Sequence, residues 1–348
     1  GTQSNVSNRN YDFGDDVSTS YYKNGLANSK LTWERTQEFN IGLDFGFFRN
    51  RINGSLDVYQ RTSKDLIMER QLPSTTGWTS VWDNIGKVRN TGLELSINTI
   101  NVQTSDFSWQ TNIIFDTNKN EILEFYGGKK DDIGKKWFIG EAINVNYDYE
   151  FDGIWQTSEA DKAAIYGQTP GQVKVKDQNH DNVIDAKDKV ILGQQLPKWT
   201  GSITNTFTYK NWDLAFNVYT RQGAQLNSTF VSSFMAYDGN YNQAKVDYWT
   251  ETNPTNKYPQ PGNKGKYFSS MCYQDVSFVR VGYITLGYTF PMSLLKPIGI
   301  KRLKLYATAN NPFLFTSFKG FDPEWATQNT WGEATSTRTF LFGVKLAF

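Results

Sequence analysis

Histidine and cysteine are nearly absent. His180 is the only histidine, so a Ser-His-Asp triad or a His-rich zinc site has little to be built from. Cys272 is the only cysteine; it forms no internal disulfide and says little about compartment. No run approaches the roughly 18 apolar residues of a membrane-spanning helix. Neither sign of charge prevails: 36 Lys and Arg stand against 35 Asp and Glu, for a net charge of +1. That balance lacks the basic footprint of a nucleic-acid binder, so no nucleic-acid partner is expected. The chain opens at Gly1 without a methionine or signal peptide, as a mature secreted N-terminus or a fragment does.

Aromatic residues are what the chain has instead. They make up 16% of it, although hydrophobic residues reach only 38% and mean hydropathy is −0.57. The 348 residues suit one large β domain or two smaller ones. Polar and aromatic together, the composition fits strands with one apolar face and long wet loops. Nine segments alternate with period two, as half-buried strands do. The first places Phe39, Ile41, Leu43, Phe45 and Phe47 on one face. The second carries Ile52, Leu56 and Val58, and the third Leu93, Leu95 and Ile97. The fourth has Phe107, Trp109, Ile113 and Phe115, and the fifth Trp199, Ile203, Phe207 and Tyr209. The sixth has Trp212, Leu214, Phe216 and Val218. The seventh has Ile284, Leu286, Tyr288 and Phe290, and the eighth Leu303, Leu305, Ala307 and Ala309. The ninth ends the chain, with Phe340, Phe342, Val344, Leu346 and Phe348 on one face.

The connections sort by length. Phe48 to Arg51 is short, Ser63 to Ile85 long, Thr99 to Asp106 short and Thr117 to Lys198 very long. Lys210-Asn211 is a two-residue hairpin, Gln222 to Asp275 is long, Pro291 to Gly299 short and Asn311 to Thr337 long. Short and long alternate throughout. Membrane barrels keep short periplasmic turns at one end and long extracellular loops at the other. A soluble sandwich has no reason to sort loops by parity. Aromatics also gather at strand ends: Tyr209 and Trp212 flank the tight hairpin, and Phe47, Phe48, Phe290 and Phe348 lie at other ends. Interfacial girdles look like that, although aromatics favour strands in any sheet.

On this reading the ninth strand ends in the periplasm and residues 1–33 form an extracellular loop segment. Residues 34–117 hold the first four barrel strands. Residues 118–198 make an extracellular excursion, with a strand-like run at Ile143–Phe151. Residues 199–348 hold the last five strands with long loops at 222–275 and 311–337. Nine is odd, whereas bacterial single-chain barrels close with an even number. An open sheet in lipid also leaves two edges of unpaired backbone groups, at several kcal/mol each. The chain is therefore expected to be the C-terminal part of a larger barrel, its other strands on another chain or fragment.

One segment carries a ligand signature. Asp177 to Asp188 places oxygens at Asp177, Asn179, Asp181, Asp185 and Asp188, with the Val183 carbonyl between them. These are positions 1, 3, 5, 9, 12 and 7 of an EF-hand-type loop, which wraps hard oxygens around Ca²⁺. Position six is Asn182 rather than Gly, and Asp188 is shorter than the usual Glu. No helix clearly precedes it, so a full EF-hand is excluded. A structural Ca²⁺ is expected; an Asx-rich turn without an ion is the plainer alternative.

Several strings now form a pattern. They are Leu31-Thr32-Trp33-Glu34, Asn90-Thr91-Gly92-Leu93-Glu94, Pro170-Gly171 before the acidic loop, and Gly193 with Pro197 after it. Leu286-Gly287-Tyr288-Thr289-Phe290-Pro291, Asn310-Asn311-Pro312-Phe313 and Gly320-Phe321-Asp322-Pro323-Glu324 follow, then the terminal Phe348. Over nearly its whole length the chain resembles the C-terminal half of SusC/RagA-like TonB-dependent outer-membrane transporters of Bacteroidetes. The resemblance implies an all-β, 22-stranded transmembrane barrel in a Gram-negative outer membrane, with an N-terminal plug. It implies energisation by TonB through that plug, a SusD-like surface lipoprotein as lid, and uptake of glycans or peptides. Phe348 would be the membrane-assembly signal. The family's plug and TonB box have no match in this sequence.

Loop aromatics Trp78, Trp82, Trp155, Tyr237, Tyr241, Trp325 and Trp331 are candidates to touch cargo or lid; packing loop on loop is the alternative for each. Arg221 and Lys304 face the lumen on this reading. A soluble, calcium-stabilised β-sheet domain that binds carbohydrate at the cell surface would explain the aromatics and the acidic loop, but not the loop parity. An enzyme is not expected, since nothing singles out carboxylates such as Asp152 and Glu159 as a glycosidase pair. The barrel reading requires detergent. Purification of a folded, monodisperse chain without it would exclude the barrel.

Overall fold

A computed structural model describes the backbone of residues 6–13, 16–23, 25–237, 243–326 and 335–348, and side chains from residue 25 onward. Two compact units are present. The first comprises Gly1–Ile41, Val58–Gly92 and Lys119–Ile143, the second Gly42–Asp57, Leu93–Asn118 and Asn144–Phe348.

Nine strands form one sheet. They are β1 (Arg35–Phe47), β2 (Ile52–Gln71), β3 (Ser80–Gln103), β4 (Phe107–Phe125) and β5 (Trp199–Tyr209). Then come β6 (Trp212–Gln222), β7 (Phe278–Thr289), β8 (Arg302–Thr316) and β9 (Thr339–Ala347). Each lies beside its sequence neighbour, so the order is an uninterrupted meander from β1 to β9. This is the nine-strand arrangement that the alternation predicts.

Register turns the alternation into two unlike faces. Trp109, Phe207, Leu214, Leu286, Ala307 and Phe342 lie side by side across β4 to β9. One residue along, on the other face, the row reads Ser108, Thr208, Asp213, Gly287, Tyr306 and Gly343. The first face is exposed: on β9, Phe340 is 69% and Phe342 82% accessible. An apolar patch of this extent on a sheet requires an apolar partner, and lipid provides it along a barrel wall.

Aromatics mark both borders of that face. At the tight hairpin Trp212 lies 4.7 Å from Tyr288, and Tyr288 lies 5.1 Å from Phe290, ring to ring. Toward the other end Phe115 and Trp199 meet at 5.8 Å, and Phe313 and Phe315 are exposed. Trp199 and Tyr209 bracket β5. Ten steps of about 3.4 Å, tilted by about 40°, separate them by roughly 26 Å, close to the apolar band of an outer-membrane barrel. A hydrogen-bonded polar set of Thr99, Asn101, Thr111 and Asn205 interrupts the apolar face. Asn205 accepts from Trp109 Nε1 at 2.9 Å and from Thr111 Oγ1 at 2.7 Å, so its carbonyl oxygen is satisfied.

Three expectations change. The stretch Ser63 to Ile85 is not a loop: β2 and β3 run on as 20- and 24-residue strands, joined through residues 72–79. About ten residues cross a bilayer, so these strands and the 19-residue β4 overshoot it. The excursion 118–198 does not fold as one body: its first residues continue β4, and the rest is divided between the two units. Within it, Val145–Tyr149 pairs with Lys189–Gln194, and Phe151–Ile154 pairs with Val173–Val175. None of these joins the wall, so the wall count stays at nine. The Asn-Asn-Pro tract does not open a loop either. It bulges inside β8, where the pairing skips Asn311 and Pro312 and Asn311 takes φ 50°. Proline has no N–H for the ladder and asparagine tolerates the left-handed region, so the sequence suits a bulge. Residues 1–33 contain a hairpin of Val6–Phe13 with Asp16–Lys23.

Glycines on the polar face are sized to their neighbours. A Cβ on Gly343 would lie 2.2 Å from the Tyr306 ring, which covers it. Replacing Gly343 with Val in the full-length protein should lower barrel stability by about 1–3 kcal/mol through overpacking. Heat-modifiability on a denaturing gel reads this; an unchanged unfolding temperature would contradict the ring's placement.

Candidate functional site

The polar face of β5 to β8 is a hydrogen-bonded surface of paired groups. Asp213 and Lys304 form an ion pair at 2.6 Å, and a Cβ on Gly287 would lie 2.7 Å from that carboxylate. Thr285 and Thr308 bond at 2.9 Å, and the Asn217 amide donates to Ser202 and Thr204. Arg221 reaches Glu324 at 3.3 Å. Arg221 and Lys304 therefore lie on the polar face as expected, but each is matched by a carboxylate.

A buried ion pair fastens a loop to this face. Arg280, 2% exposed, donates to Asp322 Oδ1 at 2.6 Å, and Tyr219 donates to Glu324 Oε2 at 2.9 Å. Asp322 caps a short turn at Pro323–Trp325 by accepting from the Glu324 N–H. Burial alone would push the Asp322 carboxyl up. The Glu324 N–H, the Arg280 guanidinium and Ser336 outweigh it and hold the group below the ordinary carboxylate range. Sequence reading used Gly320–Glu324 for the resemblance and missed Arg280. The signal was present: a lone arginine between Val279 and Val281 in a strand is an unusual charge that needs a partner.

Two long loops share one core. Ile154, Val173 and Val175 from the first pack with Val231, Trp249, Tyr258, Phe268 and Cys272 from the second. The excursion 118–198 does not build this core alone; the aromatics at 249, 258, 267 and 268 are the second loop's share of it. Burial pushes the Cys272 thiol up to about 12, so it is an inert core group.

The candidate contact aromatics fall into different settings. Trp155 is 5% exposed, stacks on Tyr166 and donates to Gln168, so it packs loop on loop. Tyr237 donates to the Ala244 carbonyl at 2.6 Å and lies against Tyr248. Trp78 is half-buried beside a turn at Ser74–Thr76. Trp82 and Trp325 are exposed, and Trp325 donates to Ser336. Tyr241 and Trp331 lie outside the described residues. Phe348 is 76% exposed at the end of the apolar face.

The acidic loop turns through two left-handed residues. Asn182, at the glycine position, takes φ 64°, and His180 takes φ 61°. Its carboxylates are turned to N–H groups: Asp177 accepts from His180 and Asn182, Asp181 from Val183, and Asp185 from Lys187. Asp188 is fully buried and accepts from Gln178 and Asp185, while the Asn179 amide donates to Asp181. Among the described residues no three acidic, His or Cys side chains converge on a point that would hold a metal.

Asp152 and Glu159 share one cation, Lys174, at 3.5 and 3.1 Å. Burial opposes ionisation of Glu159, but the Gln156 N–H and Lys174 prevail and hold its carboxyl below the ordinary value. A glycosidase acid needs the reverse shift.

Removing Asp322 leaves the buried Arg280 with only the Glu324 carboxylate, 3.8 Å away. Asp322→Ala in the full-length protein should cost about 3–5 kcal/mol locally and speed proteolysis of the loop around Gly320–Glu324. The carboxylate's contribution is complete above its unfolded pKa and is lost as pH falls through its lower folded value, so acid should loosen the same loop. Equal cleavage of variant and parent at neutral pH would contradict the clamp.

Comparison with known proteins follows the same architecture. The family model described as TonB dependent receptor-like, beta-barrel, matches residues 3–311. The TonB-dependent receptor P26 of Formosa agariphila is 31% identical over 86% of this chain and 32% of its own length. The TonB-dependent receptor SusC of Bacteroides thetaiotaomicron is 30% identical over 97% of this chain and 34% of its own. A solved structure of the RagAB peptide transporter superposes with TM-score 0.78 and 26% identity, covering 99% of this chain and 38% of that one. The chain spans about a third of the length of the curated relatives it matches. It belongs to the TonB-dependent receptor-like β-barrel family and forms nine strands of a Gram-negative outer-membrane barrel.

Proposed function

We propose that the chain supplies the C-terminal wall of a TonB-dependent importer that takes up glycans or peptides together with a SusD-like surface lipoprotein. The observation that carries this reading is the meander itself: apolar outside, polar inside, with the long, folded loops all at one end. In this reading those loops are extracellular and Phe348 marks the periplasmic end, where the insertion machinery reads it. About thirteen further strands and the plug, through which TonB acts, complete the barrel. The wall's ion pairs are already matched, so cargo selection falls to the loops. Exposed Trp82, on the extension of β3 rather than in a loop, and Trp325 are the contacts offered first, since an exposed indole can stack on a sugar or pack on a lid.

The test is the composition of the native assembly. Affinity purification from the source outer membrane, followed by mass spectrometry, should recover a plug-bearing segment and a SusD-like lipoprotein. Recovery of this chain alone would overturn the proposal.

Asp177, Asn179, Asp181, Val183, Asp185 and Asp188 are proposed to close around a structural Ca²⁺. The left-handed Asn182 supports this, and the carboxylates would have to rotate from N–H groups toward the ion. At a hundredfold excess over its dissociation constant the ion would add about 2.7 kcal/mol. Calcium should therefore raise the melting temperature of the full-length protein over a chelator control, and Asp181→Ala should abolish the difference. Identical melting with calcium and with chelator would refute the site.

A further inference from the structure

We propose that the outer wall carries a binding site for the phosphorylated sugar headgroup of an outer-leaflet glycolipid, built by β1 to β4 in the first unit. A cavity of about 260 Å³ is lined by Lys64, Lys87 and Arg89, with Gln60 and Thr62 beside them. Phe39 and Leu123 also line it and supply its apolar part.

These side chains lie on the outside of the wall. Their strand neighbours Val88 and Ile122 point the other way, into a core with Leu66, Met68 and Trp137. Residues one step along a strand face oppositely, so Lys87, Arg89 and Leu123 face outward. Lys64 donates to Gln37 at 3.3 Å, which puts that lysine on the face of Gln37 and Phe39. Arg61 bonds Glu38, on the reverse face.

The position suits a headgroup and not a cargo. Phe39, Ile41 and Val58 are exposed on the same face, one or a few steps along β1 and β2. Those residues meet acyl chains, and the cations sit immediately beyond them toward the 72–79 hairpin. Charge is unbalanced there. Glu121 pairs with Arg89 at 2.8 Å and with Lys119, while Lys64 and Lys87 make no ion pair among the described residues. Lys64, Lys87 and Arg89 are half-buried, so water compensates them incompletely.

Phosphate is the complement. Arginine binds it through a planar fork, and lysine binds it as a point charge. Basic pockets at a membrane surface bind anionic headgroups in this way. The cavity has several times the volume of a water molecule, and its amides and hydroxyl suit sugar oxygens. The leaflet on the side of the long loops is built from phosphorylated glycolipid, so the inference rests on the orientation proposed above.

The experiment uses the full-length protein in detergent, with lipid A as the probe, read by native mass spectrometry. Lipid A should bind the parent, and the triple variant Lys64→Gln, Lys87→Gln, Arg89→Gln should lose roughly a hundredfold in affinity. Dephosphorylated lipid A should bind the parent as weakly as lipid A binds the variant. Equal binding to parent and variant would overturn the proposal. So would equal retention of the dephosphorylated form, tighter binding of phosphatidylglycerol, or full competition by millimolar inorganic phosphate. Single variants that keep heat-modifiability serve if the triple variant fails to fold. Labelling of Ser74→Cys on intact cells reports orientation separately: a protected thiol would refute the orientation, and a labelled thiol without lipid A binding would refute the site alone.

Discussion

Everything in this chain depends on backbone hydrogen bonding in a medium that offers none. Inside lipid each strand N–H and C=O must find a partner on a neighbouring strand, and a missed pair costs several kcal/mol. A meander answers this with the shortest connections, and the order from β1 to β9 is the result. The requirement also explains what the side chains do. Apart from the small core of Val88, Ile122 and Phe125 under β2 to β4, they bury no core beneath the sheet; they make it acceptable to lipid on one side and to water on the other.

That division leaves the loops to stabilise themselves. Along β6 to β8 the wall offers them no apolar surface to lie on, since its inner rows are threonine, asparagine, glycine and paired charges, whereas on β2 to β4 Leu66, Met68, Val88 and Ile122 pack against Trp137. Two loops therefore form a joint core around Val173, Trp249 and Cys272. Another is fixed by charge, Asp322 on Arg280, because a short turn at Pro323–Trp325 is too small for a core of its own. Burying that pair is costly unless hydrogen bonds complete it; the Glu324 and Ser336 N–H groups complete the Asp322 side, while Arg280 Nε is buried without a partner among the described residues.

The sheet was legible because its signal is local. Period-two alternation in segments such as Leu303 to Ala309 needs no knowledge of the rest of the chain, and loop parity needs only counting. Strand ends were less legible. Leu66 and Met68 keep the even parity of Ile52, Leu56 and Val58, but past Asp65, whose φ is 56°, they turn to the opposite face, so parity there no longer reports the face. The shared loop core was hidden for another reason: its residues are about a hundred positions apart, and irregular backbone has no period to read. Arg280 was visible as an oddity but not as a clamp, since nothing local names its partner 42 residues away. In the acidic loop Asn182 adopts the left-handed region that asparagine tolerates. Sequence spacing does not show where its carboxylates point, and they turn to backbone N–H groups of the loop.

The central claim is that β1 and β9 are interior strands of a larger closed wall, not edges. A cryo-electron microscopy structure of the assembly purified from its own outer membrane tests it directly. The account predicts a 22-stranded barrel in which β1 and β9 each pair with a strand from outside these residues. A barrel closed by β1 pairing with β9, or a sheet whose two edges remain bare in the membrane, would contradict it.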